Sequence, residues 1–133
     1  MNSISIFGVF VADLCFFGNK IPTRGETVLG NKHLVGPGGK GSNQAIAAAR
    51  LDGNVKFITK IGKDSHAEMA LSLYKEAGVN TGSIIQDPSL STGVAGIMID
   101  ENGHNAINIV AGAAGHLQNI DIDKNLDVIK DSK

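Results

Sequence analysis

The sequence has no tryptophan, one tyrosine and one cysteine. A lone thiol, Cys15, excludes an internal disulfide. The four histidines, His33, His66, His104 and His116, are too dispersed along the chain to read as a metal cluster. No stretch approaches the roughly 20 consecutive apolar residues that a membrane span requires. The opening MNSISIFGVF lacks the basic n-region and small-residue cleavage site of a signal peptide. The expectation is a cytoplasmic protein with no membrane partner. An excess of one charge is missing too: 12 basic and 13 acidic residues leave a formal net charge of -1, so there is no electrostatic footprint for nucleic acid.

Glycine, by contrast, is plentiful. Seventeen are present, concentrated in residues 25-41 and 93-115, where backbone geometry is expected to matter. A length of 133 residues with 42% hydrophobic content suits a single packed core.

Residues 3-12 (SISIFGVFVA) form an almost unbroken apolar run with β-branched and aromatic members, the pattern of a strand buried on both faces of a parallel sheet. The run stops at Asp13, which places a carboxylate at the strand's carboxyl end, where ligands bind in open α/β sheets. Residues 26-36 (ETVLGNKHLVG) are more mixed and suit an exposed antiparallel flap. PGGKGSNQAIAAARLDG then passes from glycines to an alanine-rich helix, with Ser42 or Asn43 as N-cap and Gly53 able to end it.

A strand over 55-62 (VKFITKIG) and a helix over about 65-77 follow, the helix opening on a Ser65/Glu68 capping box and closing at Gly78. VNTGSIIQ (79-86) is a further strand. Residues 91-110 alternate on either side of Asn102-Gly103, a hairpin signal that interrupts the βα rhythm. That hairpin is expected to join the 26-36 segment in a small separate sheet. Ile122, Leu126 and Ile129 predict a helix over 118-131. The fold class is therefore α/β, a doubly wound, Rossmann-like, mostly parallel sheet with a small β lid.

The glycine run matches G-x-G-x-x-G literally at Gly36, Gly38 and Gly41, but the fingerprint also needs a buried strand directly before it and an acidic residue at the end of the next strand. Neither condition is met. A P-loop needs Ser or Thr directly after its lysine, and Lys40 is followed by Gly41. What remains is a lysine and free backbone N-H groups at a positive helix end, which suit a polar or anionic ligand. Asn43 adds an amide that both donates and accepts, as a vicinal diol requires.

GGKGSNQAIAAARL resembles the N-terminal signature of the ribokinase-like (PfkB) carbohydrate kinases. GVFVAD, PTRGETVLG, STGVA and NIVAGAAG resemble further family segments and stand in the family's order. The resemblance implies transfer of the γ-phosphoryl group of ATP to a sugar hydroxyl, with Mg2+ and in some cases a monovalent cation. It also implies a β lid, here segments about 15-36 and 91-110, that doubles as a homodimer interface. Matched position by position, Asp13 resembles the carboxylate that holds sugar hydroxyls, and Gly39, Lys40, Gly41 and Asn43 resemble the loop that grips the sugar from the other side.

Ribokinases proper carry asparagine two residues before that aspartate, where this chain has Val11. A valine offers no hydrogen bond, which turns the expectation from plain ribose toward another sugar, a deoxysugar or a nucleoside. The family's catalytic base and its nucleotide and cation sites lie in a C-terminal half beyond Lys133. The expectation is therefore an N-terminal, substrate-binding portion, inactive by itself and with no catalytic residue of its own. Two other readings stay open: a non-catalytic sugar-binding or interaction module, and a dinucleotide-binding enzyme.

Overall fold

The apolar run that opens the chain does not form one strand. In the computed structural model, which describes residues 3-132, it is divided between two sheets. The strands in chain order are β1 (Ser3–Phe7), β2 (Val11–Phe17), β3 (Lys32–Gly38), β4 (Asn54–Ile61), β5 (Ile84–Gln86), β6 (Thr92–Ile99) and β7 (Asn105–Gly112). A parallel sheet has the order β1-β4-β5, and a second sheet the order β3-β2-β6-β7, in which only β2 and β6 run parallel. The break falls at Gly8–Phe10. The Gly8 N-H still bonds Ile58 O at 3.2 Å, but Phe10 turns wholly into the core, edge-on to Tyr74 with ring centroids 6.2 Å apart. Asp13 accordingly lies inside β2, not at the carboxyl end of β1.

Two helices, α1 (Lys40–Arg50) and α2 (Ser65–Ala77), cover one face of the parallel sheet. Ala45 and Ile46 of α1 and Ala67, Ala70 and Tyr74 of α2 close over Val55, Phe57 and Ile61 of β4. β1 shows period-two alternation. Ile4 and Ile6 pack into that core, while the Ser3 and Ser5 hydroxyls donate to Asp131 O and Val128 O in the C-terminal segment. The sheet is thus covered on both faces, as the α/β expectation required. An isolated parallel bridge joins Ser3 to Ser132. No helix among the described residues is long and apolar enough to cross a membrane.

Several boundaries differ from the sequence expectation for local reasons. α1 begins at Lys40 with Gly39 as its N-cap and no side-chain cap, so neither Ser42 nor Asn43 serves. It ends through Asp52, at φ 62, with the Gly53 N-H bonded back to Ala48 O. α2 is capped by Asp64, whose Oδ1 accepts from the Ala67 N-H at 2.9 Å, not by Ser65. The strand expected over 79-86 shortens to three residues because the Asn80 side chain accepts from the Gly82 N-H and turns the chain. The helix expected over 118-131 divides into α3 (Asn119–Asp123) and α4 (Leu126–Lys130). Between them the Asn125 amide donates to Asp121 O at 2.8 Å and competes with helix continuation. The hairpin turns where expected, but only Gly103 has positive φ, and Asp100 organises the turn by accepting from the Asn102 and His104 N-H groups.

Tyr74 is the only tyrosine and is fully buried, its hydroxyl donating to Ser42 Oγ at 2.8 Å. Burial pushes its pKa up to about 12. A raised folded pKa leaves stability intact below the unfolded value near 10 and removes it as pH rises toward the folded one, about 2–3 kcal/mol across that window. Chemical denaturation at pH 9 and pH 11.5 should show the loss, and Tyr74→Phe should flatten the difference between them.

Candidate functional site

Asp13 stands third in β2, register-paired with Gly36 of β3 on one side and with Ala95 of β6 on the other. Its carboxylate lies over the backbone of Gly38. A Cβ on Gly38 would overlap all three carboxyl atoms, so no side chain can replace that hydrogen while Asp13 holds its place. Gly39, the next residue, has φ 93 and approaches Val9 O so closely that a Cβ there would collide with it. The chain then enters α1 at Lys40. A carboxylate and a helix N-terminus are thereby joined through two residues whose shape only glycine supplies.

The remaining residues singled out from the sequence occupy that helix start. Lys40 and Asn43 are exposed, and Gly41 and Ser42 are buried. The Asn43 N-H bonds Gly39 O at 2.9 Å, which closes the first turn and leaves its side-chain amide uncommitted to capping. The N-H groups ahead of it have no intrahelical partner, and no side chain caps them. The helix dipole therefore presents partial positive charge at the same end as the Lys40 ammonium. Asp13 is half-buried, and burial raises its pKa with no hydrogen bond or nearby charge offsetting it. The ion pairs among the described residues are Lys20–Glu26, Lys60–Asp121 and His104–Asp100, so neither Asp13 nor Lys40 is committed to one.

Chemically, this arrangement can accept hydrogen bonds from hydroxyls at Asp13 and donate to them from Lys40, Asn43 and the helix N-H groups. Val11, two residues before Asp13 on the same face of β2, is buried and packs against the backbone of Gly93 in β6. The strand that precedes the glycine run, β3, is mostly exposed and belongs to the second sheet. It is not the buried parallel strand a dinucleotide fingerprint needs. No group of three or more His, Cys, Asp or Glu side chains gathers at one point among the described residues.

Sequence reasoning missed Gly38 as the seat of the carboxylate, because the pairing of β2 with β3 is a tertiary fact. It also missed Asp64, whose Oδ2 accepts from the Thr92 N-H at 2.8 Å at the start of β6. The signal in the sequence was a good helix cap standing one residue before the serine that was expected to cap.

The family model described as pfkB family carbohydrate kinase matches residues 1–133, the whole chain. The chain belongs to this family. It is similar to the deoxyribokinase of Salmonella typhi, with 37% identity over 127 residues, which cover 96% of this chain and 42% of that protein. Among solved structures it resembles a ribokinase from Giardia lamblia, with TM-score 0.88 and 34% identity over 96% of this chain and 38% of that one. It also resembles an Arabidopsis thaliana ribokinase solved with ribose and ATP, with TM-score 0.87 and 28% identity over 98% of this chain and 43% of that one. The chain spans about 40% of the length of these relatives. The α/β class, with a parallel sheet and an accompanying mixed sheet, is therefore that of the ribokinase structures over part of their length.

Proposed function

We propose that the complete protein is an ATP-dependent sugar kinase and that this chain holds the sugar. The sugar lies between Asp13 and the start of α1, with Gly39, Lys40, Gly41 and Asn43 on the helix side and the second sheet acting as a lid. One observation carries the reading: the Asp13 carboxylate sits directly on Gly38, just ahead of a helix N-terminus that no side chain caps. An ionised carboxylate beside a ring of donors matches the alternating donor and acceptor character of a polyol. The chain's own residues bind and orient the hydroxyls and exclude water from them. ATP, with Mg2+ and in some family members a monovalent cation, supplies the phosphoryl group and its charge neutralisation, held on this reading by residues outside these 133. Residues 1-133 alone should then show no turnover.

The substrate we favour is a deoxypentose. Val11 presents a buried isopropyl group on the Asp13 face, where a hydroxyl would go unpaired, and one similar protein is a deoxyribokinase. The test is a panel of 2-deoxyribose, ribose, hexoses and nucleosides with Mg-ATP on the complete protein. We expect kcat/KM for 2-deoxyribose to exceed that for ribose by about tenfold or more. A preference for ribose would overturn the deoxysugar assignment, and no phosphorylation of any member would overturn the kinase reading.

The same reading makes the second sheet a homodimer interface. Phe16 of β2, Val35 of β3 and Val110 of β7 are exposed on the face of that sheet opposite Asp13, apolar surface suited to a second copy. Sedimentation of the complete protein should give twice the chain mass, and a monomer at micromolar concentration would contradict it.

A further inference from the structure

The second sheet meets the parallel layer at four chain crossings: Gly8–Phe10 before β2, Gly39 after β3, the residues leading into β6, and the exit from β7. At the entry to β6, side chains add to the backbone connection. The Thr92 N-H donates to Asp64 Oδ2 at 2.8 Å, and Thr92 Oγ1 accepts from the Gly62 N-H at 3.0 Å. Thr92 is buried, and the bond it accepts from Gly62 is shielded from water, while the bond to half-buried Asp64 is partly so. Asp64 meanwhile keeps its other oxygen on the Ala67 N-H. One carboxylate thus fixes the first turn of α2 and the first residue of β6 together.

β6 is the strand that carries β2. Their parallel register pairs Val11 with Gly93, one residue after Thr92, and Asp13 with Ala95. The other wall of the sugar site, α1, is packed on β4 and α2. The angle between β6 and the end of β4 therefore governs how Asp13 faces Lys40 and Asn43. We propose that Asp64 and Thr92 form a latch that holds the second sheet at the angle in which Asp13 and the start of α1 bind sugar together, an inference that rests on the sugar-site reading above. They are positioning residues that touch no substrate. With the latch open, the second sheet samples orientations in which the two walls are misaligned. Apparent sugar affinity then falls in proportion to the competent fraction, while complexes already formed react normally.

The experiment uses the complete protein and steady-state kinetics. Asp64→Ser keeps an oxygen to cap α2 but is too short to reach Thr92, and Thr92→Val keeps the shape of threonine while removing the acceptor for Gly62. Each should raise the KM for sugar about tenfold, the loss of one buried hydrogen bond, with kcat and the KM for ATP within about twofold of wild type. Thr92→Ser should restore the wild-type KM. Val79→Ala, a core truncation at the far end of α2, should lower the melting temperature without moving the KM for sugar. Should Asp64→Ser fold poorly, the near-isosteric Thr92→Val still decides the matter. A wild-type KM in Thr92→Val, or an equal KM shift in Val79→Ala, would overturn the latch while leaving the sugar site standing. A wild-type protein that takes no sugar overturns the site itself and the latch with it.

Discussion

Asp13→Ala should weaken sugar binding by the complete protein about a hundredfold or more, while leaving the fold intact. Two hydroxyls held by an ionised carboxylate contribute about 1.5–3 kcal/mol each, and alanine removes both interactions. The native structure does not depend on the group, because burial is the only influence on its pKa and no internal partner is orphaned by its loss. The sign of the stability effect separates this from an ordinary destabilising mutation. A carboxyl whose folded pKa is raised contributes stability that is fully present below the unfolded value and lost as pH rises through the folded one. Asp13→Asn should therefore raise the melting temperature of the sugar-free protein at pH 7 and leave it unchanged in acid below the unfolded pKa. Sugar affinity of the wild type should fall as pH drops through the raised pKa, because the protonated acid is the poorer acceptor. Calorimetric titration with sugar at several pH values measures both trends. Full sugar binding by Asp13→Ala would remove the carboxylate from the site.

The largest effect on stability is expected at the other face of the sheet. Lys60, near the carboxyl end of β4, pairs with Asp121 in the first turn of α3 at 2.8 Å and donates to His116 O at 3.0 Å. Both side chains are about nine-tenths buried. Asp121→Ala leaves the ammonium without its counter-charge and strips the Gln118 N-H of its acceptor, a loss of about 3–5 kcal/mol by the usual cost of breaking a buried pair. The bond from Lys60, followed by that from the Gln118 N-H, holds the Asp121 pKa below its usual value. This contribution is therefore present above the unfolded carboxylate pKa and lost as pH falls through the folded one. Replacing both partners, Lys60→Met with Asp121→Leu, should recover most of the loss, since no buried charge then stands alone. Denaturant midpoints of the two single variants and the double variant decide the point. A double variant as unstable as the singles would mean that the carboxylate acts mainly through Gln118.

Much of the local structure was legible in the sequence. The glycines ahead of an alanine-rich stretch located α1, Gly78 marked the end of α2, and Asn102-Gly103 marked the hairpin, because each is a short-range effect of backbone geometry. The cap of α2 was misassigned by one residue: Ser65 and Asp64 are both good caps, and only the position of the Ala67 N-H and of Thr92 selects the aspartate. The break in the helix over 118-131 was illegible for a related reason, since the Asn125 amide has to find Asp121 O before it competes with the helix.

The amino-acid sequence by itself determined the α/β class, a helix that starts on glycines, and the residue types of the polyol site proposed here, Asp13, Lys40 and Asn43. Periodicity and backbone preference act over a few residues, and those residues carry them unaided. Tertiary structure alone decided that residues 3-17 are shared between two sheets. An apolar run records that a strand is buried, never which neighbour it pairs with, and it was the burial of Phe10 against Tyr74 that turned the chain. That turn carried Asp13 off the parallel sheet and onto β2, over Gly38, where its carboxylate meets the start of α1 across two glycines.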